Sequence, residues 1–237
     1  MLGFIAFEGL SLFNKKPIVG IVTLNSSNAK TGNIAQLWII RSDISPVDAV
    51  KNGADQSVCG GCIHRHYTGG ACYVLPFRAP RNVYASYKKG NYDNNYDEGL
   101  ARLKGLGLRL GAYGDPAMLP DHTLKTLADN ARFHTGYTHQ WKNKKLAHAL
   151  KYCQGSVDSL EEISQLKKVD PNAKHFRVSH SKDLLKSEIE CLNTSDNLSC
   201  AECKLCDGSK KNIVVKVHGK KSARFKENQI STRKMTN

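Results

Sequence analysis

The sequence lacks any apolar run long enough to cross a membrane, and it is poor in acidic residues. Its 237 residues include 21 aspartates and glutamates against 35 lysines and arginines, so the formal net charge is +14. A membrane span needs about 20 consecutive apolar residues, and no such stretch occurs. We therefore predict a protein without a membrane span, whose basic surface is suited to contact nucleic acid through its phosphates.

The amino terminus also lacks the features of a secretory signal. Residues 1–17 are largely apolar, but they have no basic n-region, Glu8 interrupts them, and no small-residue cleavage pattern follows. We therefore expect a cytoplasmic protein. Thiols stay reduced in that compartment and remain available to bind metal.

Cysteine, by contrast, is abundant and is concentrated in two short runs, CGGCIHRHYTGGAC and CLNTSDNLSCAECKLC. Seven of the eight cysteines fall in these runs. We call the first three the first thiol set and the other four the second thiol set. The first thiol set is Cys59, Cys62 and Cys72, and the second thiol set is Cys191, Cys200, Cys203 and Cys206.

The spacing of the second thiol set favours iron–sulfur chemistry. Cysteines at Cys-x2-Cys-x2-Cys spacing are typical of 4Fe–4S ligands, whereas zinc more often uses two separated Cys-x2-Cys pairs. We therefore predict one or two 4Fe–4S clusters, with zinc as the alternative. Disulfides or inert buried thiols are the third interpretation, which such dense cysteines in a non-secreted chain disfavour.

Three further side chains are candidates for a fourth ligand beside the first thiol set. His64 and His66 lie inside the first run, although a loop histidine is more often only solvated or hydrogen bonded. Cys153 lies at the start of a predicted strand, where a buried apolar thiol is the simpler interpretation.

Short β-branched runs alternate with helical segments through much of the chain. We predict strands at residues 18–24, 37–40, 106–110, 135–141, 153–157, 175–180 and 212–219. We predict helices near residues 121–133, 142–152 and 159–170, with Asp121 and Ser159 as caps. Such alternation is typical of right-handed βαβ units. It predicts an α/β fold, a parallel βα barrel or partial barrel with a C-terminal cysteine-rich segment.

The predicted domain organisation is simple. Residues 1–219 form a single α/β domain, with a first cluster loop at 59–73 and a second cluster segment at 191–206. Residues 220–237 form a basic flexible tail, because they have little apolar content. Residues 208–237 contain nine lysines and arginines and one glutamate. Such a charge either contacts nucleic acid or increases solubility.

Polar and special residues follow the predicted strands. Since ligands of parallel sheets bind at the carboxyl ends of the strands, we expect these residues to share a pocket. We also expect the first thiol set to lie at the carboxyl ends of the strands, and the second thiol set to lie at the same end of the sheet. The strand-end residues are Gly111, Tyr113, Gly114, Asp115, His139, Gln140, Ser156, Asp158, Arg177, Ser179 and His218.

The first run resembles the cluster loop of radical SAM enzymes. In that superfamily three cysteines, the last followed by an aromatic residue, hold a 4Fe–4S cluster whose fourth iron binds S-adenosylmethionine. Here Tyr73 follows Cys72. The family has a Gly-Gly-Glu-Pro-like turn for the methionine amino group, and residues 111–116 resemble that turn with Asp115 in place of glutamate. The second thiol set resembles the auxiliary-cluster extensions of part of the superfamily.

Residues 29–219 are also similar to a group of uncharacterised bacteriophage iron–sulfur proteins. The shared features are a cysteine loop, a Gly-Asp strand end, a GYT-x-x-W strand at 136–141, and a cysteine cluster before a final strand and His-Gly at 214–219. If a phage encodes this chain, the resemblance implies the cytoplasm of the host cell as its location.

These resemblances imply a radical-SAM-like enzyme. They imply an open 4Fe–4S site at the first thiol set, a closed auxiliary cluster at the second, and S-adenosylmethionine as the small molecule bound. Asp115 would bind the ammonium group of S-adenosylmethionine, and Arg177 would bind its carboxylate. The implied cofactor-binding residues are Tyr73, Gly111, Tyr113, Gly114, Asp115, Ser156 and Arg177. No catalytic residue is identified.

Two other functions fit the sequence. One is a non-catalytic iron–sulfur or zinc protein that binds nucleic acid or a host protein, which the basic charge favours. The other is electron transfer, which needs a cluster near the surface.

Overall fold

A computed structural model describes residues 2–180, 184–217 and 222–225. Nine strands in these ranges form one sheet in the order β1-β2-β3-β4-β5-β6-β7-β9-β8. The strands are β1 (Gly3–Leu10), β2 (Pro17–Thr23), β3 (Ala35–Arg41), β4 (Gly107–Tyr113), β5 (Phe133–Thr138), β6 (Gln154–Val157), β7 (His175–Ser179), β8 (Glu188–Glu190) and β9 (Asn212–Lys216).

The sheet is mostly parallel, which confirms the predicted α/β class. β2 pairs antiparallel with β1 on one side and with β3 on the other. Every pairing from β3 onward is parallel. The strands from β3 to β7 are neighbours in chain order, and β1 and β8 are the two edges, so the sheet is open. The apolar amino terminus, for which no strand was predicted, forms β1.

Helices form much of the segments that connect successive strands. Ser159 caps α6 as predicted, because its side chain accepts a hydrogen bond from the backbone N–H of Glu162. Asp121 is instead the first residue of α5, after Pro120. The helices are α1 (Pro46–Asn52), α2 (Gln56–Cys59), α3 (Ala79–Lys88), α4 (Tyr96–Leu103), α5 (Asp121–Asn130), α6 (Leu160–Val169), α7 (Leu192–Ser195) and α8 (Cys200–Cys203), with 3₁₀ turns at Pro116–Met118, Gln140–Lys142 and Ala147–Lys151.

β5 is shorter than the sequence predicts. It ends at Thr138 and is followed by a 3₁₀ turn that contains Trp141. The indole Nε1 of Trp141 donates to the carbonyl oxygen of Ser156, in the neighbouring strand β6, at 2.7 Å. The Thr138 hydroxyl accepts the backbone N–H of Gln140, which fixes this turn. The predicted helix near residues 142–152 is likewise a 3₁₀ turn.

The main core lies between the sheet and the helices. Leu108 and Leu110 of β4 are buried together with Leu124 and Leu127 of α5. Since successive side chains of a strand point to opposite faces, Arg109 points to the face away from this core. Cys153 is fully buried within the core, as expected for an apolar thiol.

Candidate functional site

The first thiol set lies at the carboxyl ends of β4 and β5, as predicted. The backbone N–H of Asp115, just after β4, donates to the carbonyl oxygen of Val58 at 2.6 Å. The side chain of Gln140, just after β5, donates from Nε2 to the carbonyl oxygen of Cys59 at 3.0 Å and accepts from the N–H of Gly61 at 3.1 Å. These three hydrogen bonds hold the cysteine loop at the carboxyl ends of these central strands.

Gly60 leaves the space that the Gln140 side chain fills. Its φ is +56°, and a Cβ built there would lie 2.2 Å from Oε1 of Gln140. The neighbouring Gly61 meets the same oxygen only at 4.0 Å. We predict that Gly60→Ala lowers the free energy of unfolding by about 1–3 kcal/mol and reduces metal content.

Gly61→Ala is the matched control for this prediction, because it adds the same methyl group one residue away without a clash. Thermal unfolding and metal analysis of the two variants provide the measurement. Equal stability of both variants would contradict the clamp formed by Gln140.

A bulge in β4 brings Tyr113 to the first thiol set. Gln36 of β3 pairs with Arg109, but Trp38 pairs with Tyr113, so β4 has two extra residues around Gly111, whose φ is +75°. Such bulges re-aim side chains near functional sites. Gly114, at φ +81°, completes the turn, since a Cβ there would lie 2.6 Å from the carbonyl oxygen of Ile39.

The thiols of the first set influence one another. Burial, followed by the neighbouring Cys72 and Cys62 thiols, raises the pKa of Cys59 well above its ordinary value. Burial and the charges of Cys59, Asp55 and Cys72 likewise raise the pKa of Tyr113. Thiols that resist ionisation for these reasons become thiolates when a metal cation binds them.

The hydroxyl of Tyr113 is buried and has no hydrogen-bond partner among the described residues. A buried hydroxyl without a partner costs about 1–3 kcal/mol. An ion or a polar ligand beside the ring would remove that cost by supplying the missing hydrogen bond. A thiolate or a polar ligand at the first thiol set would accept a hydrogen bond from this hydroxyl.

The three candidates for a fourth ligand have other surroundings. His64 Nε2 lies 2.7 Å from Oδ1 of Asp158, and His66 Nε2 lies 2.6 Å from the carbonyl oxygen of Val74. Cys153 is in the core. The imidazole of His139, in contrast, is within hydrogen-bonding reach of Cys62. Sequence reasoning placed His139 at a strand end but did not consider it as a ligand.

The second thiol set is assembled against β5 and the loop before β3. The N–H of Cys200 donates to the carbonyl oxygen of Lys30 at 3.1 Å, and the N–H of Gly136 donates to that of Cys206 at 2.9 Å. The loop before β3 lies at the amino end of that strand. Cys191, in contrast, directly follows the carboxyl end of β8, so the expectation that both thiol sets lie at the same end of the sheet stays a prediction.

All four thiols of the second set share one environment. Burial raises the pKa of Cys206, a hydrogen bond to Tyr137 opposes the rise, and the thiols of Cys200, Cys191 and Cys203 add to it. Burial also raises the pKa of Cys200, against the nearby positive charge of Arg109. No disulfide joins any of the eight cysteines, all of which lie in the described ranges.

The spacing of the sulfur atoms bears on the kind of metal. Within residues 2–180, 184–217 and 222–225, the group of three potential ligands with all ligand atoms within 4.8 Å of one another is His64, His139 and Asp158, and no three cysteines meet that limit. Zn–S bonds of about 2.3 Å place the sulfurs of a tetrahedral zinc site roughly 3.8 Å apart.

Comparison of the chain with protein-family models, curated proteins and solved structures finds no match. Its function is therefore inferred from the chemistry of its own residues. Among those that the structure describes, no helix combines the length and the apolar character needed to cross a membrane.

Asp115, the residue implied to bind an ammonium group, has its carboxylate occupied within the protein. Oδ1 accepts from the N–H of Ala117 at 3.0 Å and from the hydroxyl of Thr138 at 2.8 Å, and Oδ2 accepts from the N–H of His139 at 2.8 Å. Burial raises the pKa of Asp115, and the bonds from His139, Thr138 and Ala117 oppose that rise. The contacts of Asp115 are those of a residue that fixes the carboxyl ends of β4 and β5.

Arg177, the residue implied to bind a carboxylate, contacts Glu188. Its Nε and Nη2 donate to Oε1 and Oε2 of Glu188 at 2.6 and 2.5 Å, and His175 Nε2 lies 2.9 Å from Oε1. The arginine and the glutamate are 6% and 8% exposed, so the pair is buried where it connects β7 to β8 across the intervening β9. It holds the edge strand of the sheet.

We predict that Arg177→Met destabilises the protein by about 3–5 kcal/mol, because it leaves the Glu188 carboxylate buried without this partner. The double variant Arg177→Met/Glu188→Leu is expected to regain most of the loss. Urea unfolding measures both. If the single variant is as stable as the wild type but binds the ligand less well, Arg177 would instead be assigned to the ligand-binding site.

The remaining implied residues are divided between surface and interior. Tyr73 is 50% exposed beside the cysteine loop, whereas Ser156 is buried and its carbonyl oxygen accepts the indole N–H of Trp141. His218 and most of the predicted basic tail lie outside the described residues.

Proposed function

We propose that this protein is an iron–sulfur enzyme that resembles radical SAM enzymes. In this proposal the first thiol set holds a 4Fe–4S cluster with one position open to a small molecule, and the second thiol set holds a closed cluster. The observation that carries the proposal is the assembly of three thiols, without a fourth cysteine, at the carboxyl ends of parallel strands. Three protein ligands and an open position are typical of reactive metal centres.

The Cys-x2-Cys-x2-Cys spacing of the second thiol set supports a cluster over a single zinc ion. The buried hydroxyl of Tyr113, which has no hydrogen-bond partner in the part of the chain that the structure describes, supports a polar or anionic group at the first thiol set. When bound, a reduced cluster of this type would supply one electron to S-adenosylmethionine, so that a carbon–sulfur bond of its sulfonium breaks to give methionine and a carbon radical. The protein's own contribution is to position the ligands and exclude water.

The order of the strands supports a partial barrel as the finer description of the fold. Strands β3 to β7 follow one another in chain order with parallel pairing. Right-handed crossovers between such neighbours place all the connecting segments on one face, as in βα barrels. Reactive sites of barrels lie at the carboxyl ends of the strands, where the first thiol set is located.

Anaerobic purification followed by iron, sulfide and zinc assays tests the proposal. We expect about eight iron and eight sulfide per chain if both clusters are filled. Electron paramagnetic resonance of the reduced protein, with and without S-adenosylmethionine, tests the open position. A spectrum that the added molecule leaves unchanged, in a protein that contains the first cluster, would reject the radical-enzyme assignment. Zinc without sulfide would reject both clusters.

The net charge of +14 favours a second candidate, a structural metal protein that binds nucleic acid. Binding to a labelled DNA or RNA duplex at several salt concentrations tests it. Affinity that falls steeply with salt, without any effect of S-adenosylmethionine on the spectrum, would favour this candidate. Undetectable binding at low salt would reject it.

A further inference from the structure

We propose that His64, His139 and Asp158 bind one divalent first-row transition metal ion, Zn²⁺ or Fe²⁺, beside the first thiol set. Their ligand atoms all lie within 4.8 Å of one another. This site goes beyond the proposed function, because it requires neither an iron–sulfur cluster nor S-adenosylmethionine.

The distances fit a mononuclear ion. Nε2 of His64 lies 2.7 Å from Oδ1 of Asp158, and Nε2 of His139 lies 3.8 Å from Oδ2 of the same carboxylate. Metal–nitrogen and metal–oxygen bonds of about 2.1 Å place the ligand atoms of a tetrahedral ion roughly 3.4 Å apart. The two observed distances bracket that value, so small side-chain shifts would complete the site.

The donor set selects the class of metal. Two imidazoles and one carboxylate suit Zn²⁺ or Fe²⁺, and they leave positions open for water or substrate. His64 and Asp158 are 8% and 7% exposed, so the ion would be largely shielded from solvent.

The three residues come from separate segments that the fold holds together. His64 lies in the first cysteine run, where its carbonyl oxygen accepts the N–H of Cys72 at 2.9 Å. His139 follows β5, and its N–H donates to Asp115. Asp158 follows β6, and its N–H donates to Oε2 of Glu162 at 2.8 Å. Backbones fixed in this way pre-organise the ligands.

Phe225 covers one side of the site. Its ring stacks on the imidazole of His64, with centroids 5.1 Å apart and an interplanar angle of 18°, and it is 3% exposed. His139 is within hydrogen-bonding reach of Cys62 of the first thiol set. The ion would therefore lie beside both an aromatic cover and a thiol.

Cobalt titration of the full-length protein tests this site. The protein is purified anaerobically, washed with a mild chelator, and titrated with Co²⁺ as the probe while its visible absorption is followed. The variants are His64→Gln and Asp158→Asn. The matched control is His66→Gln, which removes an imidazole two residues away whose Nε2 contacts a backbone carbonyl instead.

We expect wild type and His66→Gln to bind one Co²⁺ per chain. His64→Gln and Asp158→Asn should bind it more than about 100-fold more weakly, since even the loss of an outer-shell partner costs 10–100-fold. X-ray absorption of the wild-type complex should show nitrogen and oxygen ligands with at most one sulfur. This measurement does not depend on the folding of any variant.

Equal Co²⁺ affinity in all four proteins would overturn the proposal, and so would a first shell with three or more sulfurs. Either result would identify the three residues as a hydrogen-bonded His–Asp–His group. Failure of the proposed function is distinguishable, because it would remove iron and sulfide from the wild-type protein while leaving this cobalt site intact.

Discussion

Replacing Cys203 with serine is expected to remove the cluster at the second thiol set, about four iron atoms per chain. The four thiols of this set share one environment, and a serine hydroxyl is a much poorer ligand for iron than a thiolate. A bound cluster would tie α8 to the rest of the fold, since metal binding contributes directly to folding energy. The melting temperature is therefore expected to fall by more than about 5 °C.

The local structure around Cys203 makes this test specific. Ser199 and Glu202 form a capping box on α8, so the helix itself should survive the substitution. Cys153→Ala is the control for iron content, because Cys153 lies in the core outside both thiol sets. Full iron content together with unchanged melting in Cys203→Ser would show that the second thiol set holds no cluster.

Replacing Asp115 with alanine is expected to destabilise the protein by about 3 kcal/mol or more, even without any ligand. The substitution removes the acceptor of three buried or partly buried donors, those of Ala117, Thr138 and His139. Each such donor left unsatisfied costs about 1–3 kcal/mol. His139 would also lose the contact that fixes its backbone, so binding at the first thiol set should weaken as well.

Urea unfolding with Asp115→Asn and Asp97→Ala as comparisons gives the decisive measurement. The asparagine can replace only one oxygen, since its amide group would face the N–H of His139 or another donor, so it should rescue stability in part. Asp97 is exposed on α4, and its loss should change stability by less than about 0.5 kcal/mol. Wild-type stability of Asp115→Ala, with weaker binding of S-adenosylmethionine, would restore the ligand role implied by the family resemblance.

The location of the first thiol set could be predicted from the sequence, but the roles of its neighbours could not. Gly111 and Asp115 follow a recognisable strand, and parallel sheets bring such ends together. The partner of Asp115 at residue 139 and the partner of Arg177 at residue 188 are set by the arrangement of the strands in the sheet. A polar residue at a strand end looks the same in sequence whether it binds a ligand or its own protein.

The short-range patterns of the sequence determined the α/β class, most of the strands, the cap of α6 and the grouping of cysteines into two sets. These features depend on side-chain periodicity and on spacings of a few residues, which local backbone geometry translates directly into structure. Strand β1 escaped prediction because its pairing with β2, and not a clear local pattern, defines it.

Only the tertiary structure decided that the second thiol set packs against β5 and the loop before β3, and that His64, His139 and Asp158 meet. His64 and Asp158 are 94 residues apart in the chain, yet their side chains are 2.7 Å apart. That proximity follows from the order of the strands, which places the ends of β5 and β6 beside the first cysteine loop. Strand order is fixed by the packing of the whole sheet, because no residue-by-residue pattern encodes which strand lies next to which.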